Sequence, residues 1–187
     1  MIKTNSRSRF WSLLGALKRN RQGIAAVEFA LTLPVVLLLY FGSVEFSQAV
    51  AVKRITVLSA STVANLVTQY STISAANTMP DILNAASAVL APYPVANATV
   101  RVSCITIDGA GNATVLWSKS LNGTALATGS QLVLPAAFAT PNTSVIFGEA
   151  TYTLRSVVDY LQFGAFNLTS SVYMFPRSAS GTVILTP

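Results

Sequence analysis

RNRQGIAAVEFALTLPVVLLLYFGSVEF, residues 19–46, is a basic segment closed by a glycine and followed by a long apolar run. From Ile24 to Val44 that run holds a single charge, Glu28, and a single proline, Pro34. As a helix it reaches about 31 Å at roughly 1.5 Å per residue, which matches a hydrocarbon core of about 30 Å. Lys3, Arg7, Arg9, Lys18, Arg19 and Arg21 precede it, whereas only Lys53 and Arg54 lie near its other end. The excess of cations on the N-terminal side keeps that side in the cytoplasm and sends the rest of the chain outward. Pro34 removes one helical hydrogen bond and is expected to loosen the span near its middle.

The whole chain has 187 residues with 12 basic and 6 acidic side chains, a net charge of +6. The excess is confined to residues 1–23, which contain six cations and no acid; from Ile24 onward six cations balance six acids. A charge so placed argues against a nucleic-acid groove. The chain has no histidine and one cysteine, Cys104, in the apolar run VRVSCITI, where it reads as a small core residue. Nucleophile–base pairs built on histidine and zinc sites are therefore unavailable, and no intrachain disulfide can form. No glycine-rich phosphate loop is present. The expectation is a non-enzyme with no cofactor, no metal and no small-molecule substrate.

A carboxylate inside an inserted segment costs about 2.5–3.5 kcal/mol, so it calls for a partner. Glu28 is the fifth residue after Gly23. RQG followed by IAAVEFALTLP resembles a type IV prepilin cleavage site, in which a prepilin peptidase cuts after the glycine, here between Gly23 and Ile24. Lys18, Arg19 and Arg21 would then belong to the leader. The resemblance implies that cleavage creates a positive amine on an apolar helix and that a neighbour's Glu28 neutralises it. In low dielectric such a pairing is strongly preferred to two unpaired charges. The longer stretch GIAAVEFALTLPVVLLLYFGSVEFSQAVAVKRITVLSAS is similar to the TadE-like family of the tight-adherence (Tad, or Flp) pilus system. Gly23, Glu28, Phe29, Pro34, Gly42, Glu45 and Phe46 fit its pattern. Glu28, Phe29 and Pro34 would carry assembly. Expected partners are inner-membrane lipid, the prepilin peptidase, other pilins or pseudopilins and Tad assembly proteins, with no nucleic acid. The head would lie in the periplasm, and the protein would act in pilus biogenesis and adhesion.

Working outward from the span, helical spacing continues to about Gln69. Val52, Ile55, Ser59, Val63, Leu66 and Tyr70 form one stripe; Gln48, Lys53, Thr56, Ser61, Asn65 and Thr68 lie opposite. Residues 71–78 read as a linker. TMPDILNAASAVL then predicts a short helix capped by Thr78 with Ile82, Ala86, Val89 and Leu90 on its buried side. ATVRVSCITID, the turn at residues 108–112 and ATVLWSK predict a hairpin, and Asp108 with Asn112 reads as turn chemistry rather than a calcium loop. Residues 121–142 read as an irregular loop. SVIFGEATYTLRSVV predicts a strand with a bulge at Gly148, and LTSSVYMFPR a last one. The expected organisation is a leader (1–23), a transmembrane helix (24–44), its periplasmic continuation (45–70), a linker with a short helix (71–95) and a β-rich head (96–187). The expected class is α+β: a long helix packed under a small antiparallel sheet.

Two rival readings follow from the same residues. One is an uncleaved, membrane-anchored envelope binding or scaffold protein. The other is a secreted domain cut after Ala51, because residues 49–51, AVA, have the form of a signal-peptidase site. The apolar run exceeds the usual signal-peptide core of about 7–15 residues.

Overall fold

The structure is a computed structural model that describes residues 22–155 and 164–187. It is α+β, with one long N-terminal helix and an antiparallel sheet. The chain divides into two compact units, Met1–Phe46 and Ser47–Pro187. Helix α1 (Gln22–Thr68) runs for 47 residues and supplies the described part of the first unit. Pro34 lies inside it without ending it. Pro34 lacks an N–H, so the Ala30 carbonyl loses its usual helical donor. Nearby hydroxyls bond within the helix: Thr32 Oγ1 donates to the Glu28 carbonyl (2.5 Å) and Ser43 Oγ to the Tyr40 carbonyl (2.7 Å). Such bonding back onto the preceding turn hides polar groups that an apolar surrounding could not satisfy. Residues 49–51, the alternative cleavage site, sit within the unbroken helix.

In the second unit, residues 47–68 of α1 pack on a five-stranded sheet of order β4-β3-β2-β5-β6. Its strands are β2 (Ala98–Ile107), β3 (Ala113–Leu121), β4 (Gln131–Leu132), β5 (Thr143–Arg155) and β6 (Ala165–Met174). The hairpin of β2 and β3 forms where alternation predicts it, and each sheet pairing is antiparallel. Asp108 closes the turn: its Oδ1 accepts from the Ala110 and Asn112 N–H groups at 2.9 and 2.8 Å, and Oδ2 accepts from Asn112 Nδ2 at 2.9 Å.

The buried face of α1 is rotated from the expected stripe. Val52, Thr56, Ser59, Ala60, Val63, Ala64, Val67 and Thr68 are buried, whereas Tyr70 is 41% exposed. Thr56 and Thr68 were expected on the polar side. They go inward because each hydroxyl bonds the preceding turn, Thr56 to the Val52 carbonyl (2.8 Å) and Thr68 to the Asn65 carbonyl (2.7 Å). Small side chains then win over large ones because helix and sheet approach closely. A Cβ on Gly148 would stand 2.7 Å from the Ala60 carbonyl oxygen and 2.9 Å from Ala64 Cβ. Gly148 is therefore a close-approach position and not the expected bulge: Val102, Gly148 and Val172 pair in uninterrupted register. The irregularity lies elsewhere, between Cys104 and Ile105, where Leu116 is passed over by the β2–β3 register.

Two further expectations are corrected. Residues 71–78 are not only linker, because they contain β1 (Thr72–Ser74), which pairs in parallel with an unforeseen C-terminal β7 (Ile184–Thr186). Helix α2 (Thr78–Leu90) forms as predicted, but Asn77 holds the cap position, with no side-chain capping bond, and Thr78 is already helical. Its buried residues are Met79, Ile82, Leu83, Ala86 and Leu90, so Val89 stands only half-buried. Residues 121–142 contribute the two-residue β4 and a short 3-10 turn, Ala136–Phe138, and are otherwise irregular. Their Leu126, Leu132, Leu134 and Phe138 cover Ile105, Ile107, Val145 and Phe147, so the sheet is packed on both faces.

Candidate functional site: the N-terminal helix and its acid

Gly23 and Ile24 occupy the first turn of α1, and both are exposed. Among the described residues, nothing beyond Gly23's own neighbours and helix backbone lies within 4 Å of a Cβ added there. Glu28 stands one turn beyond Ile24, on the same helix face, and is exposed. Phe29 is 65% exposed and Pro34 is exposed as well. Ile24 and Glu28 share one face because the helix is unbroken from Gln22, whereas at about 100° per residue Phe29 and Pro34 stand on other sides of it. The leader cations Lys18, Arg19 and Arg21 lie outside the described residues, as does Asp159.

From Ile24 to Phe46 the large apolar side chains of this helix are exposed, Leu31, Leu38, Leu39 and Phe46 at 65% or more. An exposed surface of that size and composition belongs in lipid or against another apolar surface. Among the described residues, α1 is the one helix long and apolar enough to cross a membrane.

The second unit contains ionisable groups that sequence reading did not connect. Arg101 and Glu149 face each other across β2 and β5 and form a salt bridge, both about three-quarters buried at 25% and 23% side-chain exposure. Arg101 Nη1 also reaches the Thr124 carbonyl at 3.3 Å. The signal for this pair is the register of two distant strands, which local alternation does not reveal. Cys104 is buried, and burial raises its thiol pKa to about 11 against a smaller opposing effect of the Val183 backbone. It is an inert core thiol. Asp108 is held below its ordinary range by the Asn112 side chain, with the backbone N–H groups of its turn adding to the effect. Tyr173 is raised by burial and by the Glu149 charge. Among the described residues no three His, Cys, Asp or Glu side chains stand together as a metal site.

The geometry defines a class of protein: a chain with an α+β unit and a long N-terminal helix whose exposed apolar portion begins at Gly23 and carries Glu28 one turn beyond Ile24. Residues 23–65 match the family model described as TadE-like protein, the same stretch that carries the sequence resemblance. The match and the apolar helix together point to a Tad pilus-associated protein with a membrane-anchor helix. No curated protein and no solved structure matches the chain.

Proposed function

We propose that this protein is a minor pilin or pseudopilin of a Tad-type pilus assembly system, acting in pilus biogenesis and adhesion. Residues 24–44 span the inner membrane with the N-terminus in the cytoplasm and the second unit in the periplasm. A prepilin peptidase removes residues 1–23, reading the basic leader and cutting at the exposed Gly23–Ile24 bond. The new amine of one chain then meets Glu28 of a neighbour, and the pairing fixes the axial stagger between them. The observation that carries this reading is the placement of Glu28 one turn after Ile24, near the start of an exposed apolar stretch of helix covered by the TadE-like match. Phe29 and Pro34 would shape the same contact, and no catalytic role is assigned to any residue.

N-terminal sequencing and intact mass of the protein from native membranes test the reading. The expected mature chain starts at Ile24 and has 187 − 23 = 164 residues. A chain that still starts at Met1 in a piliated cell overturns it in favour of a permanently anchored envelope protein.

A further inference from the structure

The sheet face turned away from α1 changes character along its length. Side chains alternate between the two faces of a strand. Gly148 meets α1 at Ala60 and Ala64, so Glu149 and Thr151 of β5 belong to the opposite face. They pair across the sheet with Arg101 and Thr99 of β2 and with Ser171 and Thr169 of β6. One end of this face is apolar and roofed by the 121–142 loop at Ile105, Val145 and Phe147. The rows that follow are polar and carry the Arg101–Glu149 salt bridge. A hollow of about 300 Å³ lies over them, lined by Thr99, Arg101, Thr124, Glu149 and Thr151. That volume suits one small ring.

The chain after β3 forms a fixed wall for the hollow. Asn122 turns there with a positive φ of 54° and donates its Nδ2 to the Val95 carbonyl at 3.0 Å. Ser120 Oγ donates to the Gly123 carbonyl at 2.6 Å. Gly123 sits so close to β2 that a Cβ on it would collide with Thr99 Cγ2. Arg101 Nη1 then holds the Thr124 carbonyl at 3.3 Å. A site placed in advance in this way loses little entropy when a guest arrives.

The lining selects the chemistry of that guest. Three hydroxyls, a guanidinium and a carboxylate surround the hollow, which favours a polar ligand. The cation and the anion cancel, so no net charge holds an ion, and a foreign carboxylate would have to displace Glu149 from Arg101. Bonding capacity of both kinds remains. Each Nη of a guanidinium carries two N–H groups; one on Nη1 goes to Thr124 and one on Nη2 to Glu149. Glu149 accepts Arg101 through Oε2, which leaves Oε1 as an acceptor. Threonine hydroxyls both donate and accept. An uncharged guest with donor and acceptor side by side meets all of these groups. Adjacent hydroxyls on a sugar ring have that form: one accepts from the guanidinium while its neighbour donates to the carboxylate. Tyr173 stands on the next row, near enough for the Glu149 charge to raise its pKa, and gives the polar floor an aromatic border.

We propose that this hollow binds a neutral sugar ring, with adjacent hydroxyls bridging Arg101 and Glu149 and the remaining ones meeting Thr99, Thr124 and Thr151. The site lies within the second unit and does not depend on removal of residues 1–23, so sugar binding and maturation at Gly23 can fail independently. The test is saturation-transfer NMR on the full chain in a detergent without a sugar headgroup. The probes are methyl α-mannoside, methyl β-galactoside and methyl N-acetyl-β-glucosaminide, with methyl β-glucuronide as the anionic arm. At least one neutral probe is expected to bind with a Kd on the order of 1 mM. Glu149→Gln should weaken it by about tenfold or more. Thr124→Tyr, at an exposed position on the wall, should fill the hollow and abolish binding while leaving thermal unfolding unchanged. This second variant decides the matter even if Glu149→Gln fails to fold. Three results overturn the proposal: no transfer to any neutral probe at about 10 mM, transfer that Thr124→Tyr leaves unchanged, or transfer to the glucuronide alone, which would make the hollow an anion site.

Discussion

The two halves of α1 belong to one continuous helix and obey opposite rules of burial. Residues 23–46 put leucines and phenylalanines outward, whereas residues 47–68 bury valines, alanines, serines and threonines. Apolarity alone does not decide which side chains are inside. In the second half the helix backbone closes to within contact of Gly148 on β5, and only small side chains fit between. In the first half the large side chains are exposed, and the hydroxyls of Thr32 and Ser43 are turned back onto the helix. Thr32 and Ser43 in the first half and Thr56 and Thr68 in the second use the same device, a hydroxyl bonded to a carbonyl of the preceding turn, whereas the buried Ser59 hydroxyl does not.

That contrast can be broken in graded steps. The largest expected effect is functional: Glu28→Gln should abolish pilus assembly while leaving the thermal unfolding of the second unit unchanged, measured by fibre counts and by circular dichroism of the purified chain. Second, Gly148→Val forces a side chain against the Ala60 carbonyl and should destabilise the head by about 3 kcal/mol, measured by urea unfolding in detergent. Its counterpart Gly42→Ala, where among the described residues nothing lies within 4 Å of the new Cβ, should shift stability by no more than about 1 kcal/mol. If the two glycines respond alike, close approach does not distinguish the halves.

Smaller effects probe the packed half alone. Trp117→Phe removes the indole bond to the Val183 carbonyl (2.8 Å) and should cost about 1–3 kcal/mol in the same unfolding assay. Cys104 supplies a pH signature. Its thiol pKa is raised from 9.0 to about 11 in the folded chain, so the unfolded chain loses its proton first. Stability is full below pH 9 and falls as pH rises from there towards 11. Cys104→Ala should reduce this decline, although it also leaves a small cavity. An undiminished alkaline decline in that variant would assign it to another group.

Much of this was legible before any coordinates. The length of α1, the β2–β3 hairpin, α2 and the core position of Cys104 follow from periodicity and turn residues. What escaped was non-local. β1 and β7 are three residues each and pair across most of the chain, too short to show a period. The face of α1 that turns inward could not be read, because a threonine bonded to its own backbone carries no sequence mark separating it from a solvated one. Gly148 looked like a bulge because glycine in a strand signals either a kink or a close neighbour, and only the helix decides between them. In the candidate site, the spacing of Gly23, Ile24 and Glu28 was visible in sequence because it is local. The Arg101–Glu149 pair was not, because it joins strands nearly fifty residues apart.

The indole of Trp117, tied to the carbonyl of Val183, has a practical bearing. The chain has two tryptophans, and the other, Trp11, precedes Gly23. Trimming at that glycine would leave one fluorophore, seated under the C-terminal segment. Emission from the processed protein would then come from that buried indole alone, and comparing spectra of long and short forms would provide an optical assay of maturation.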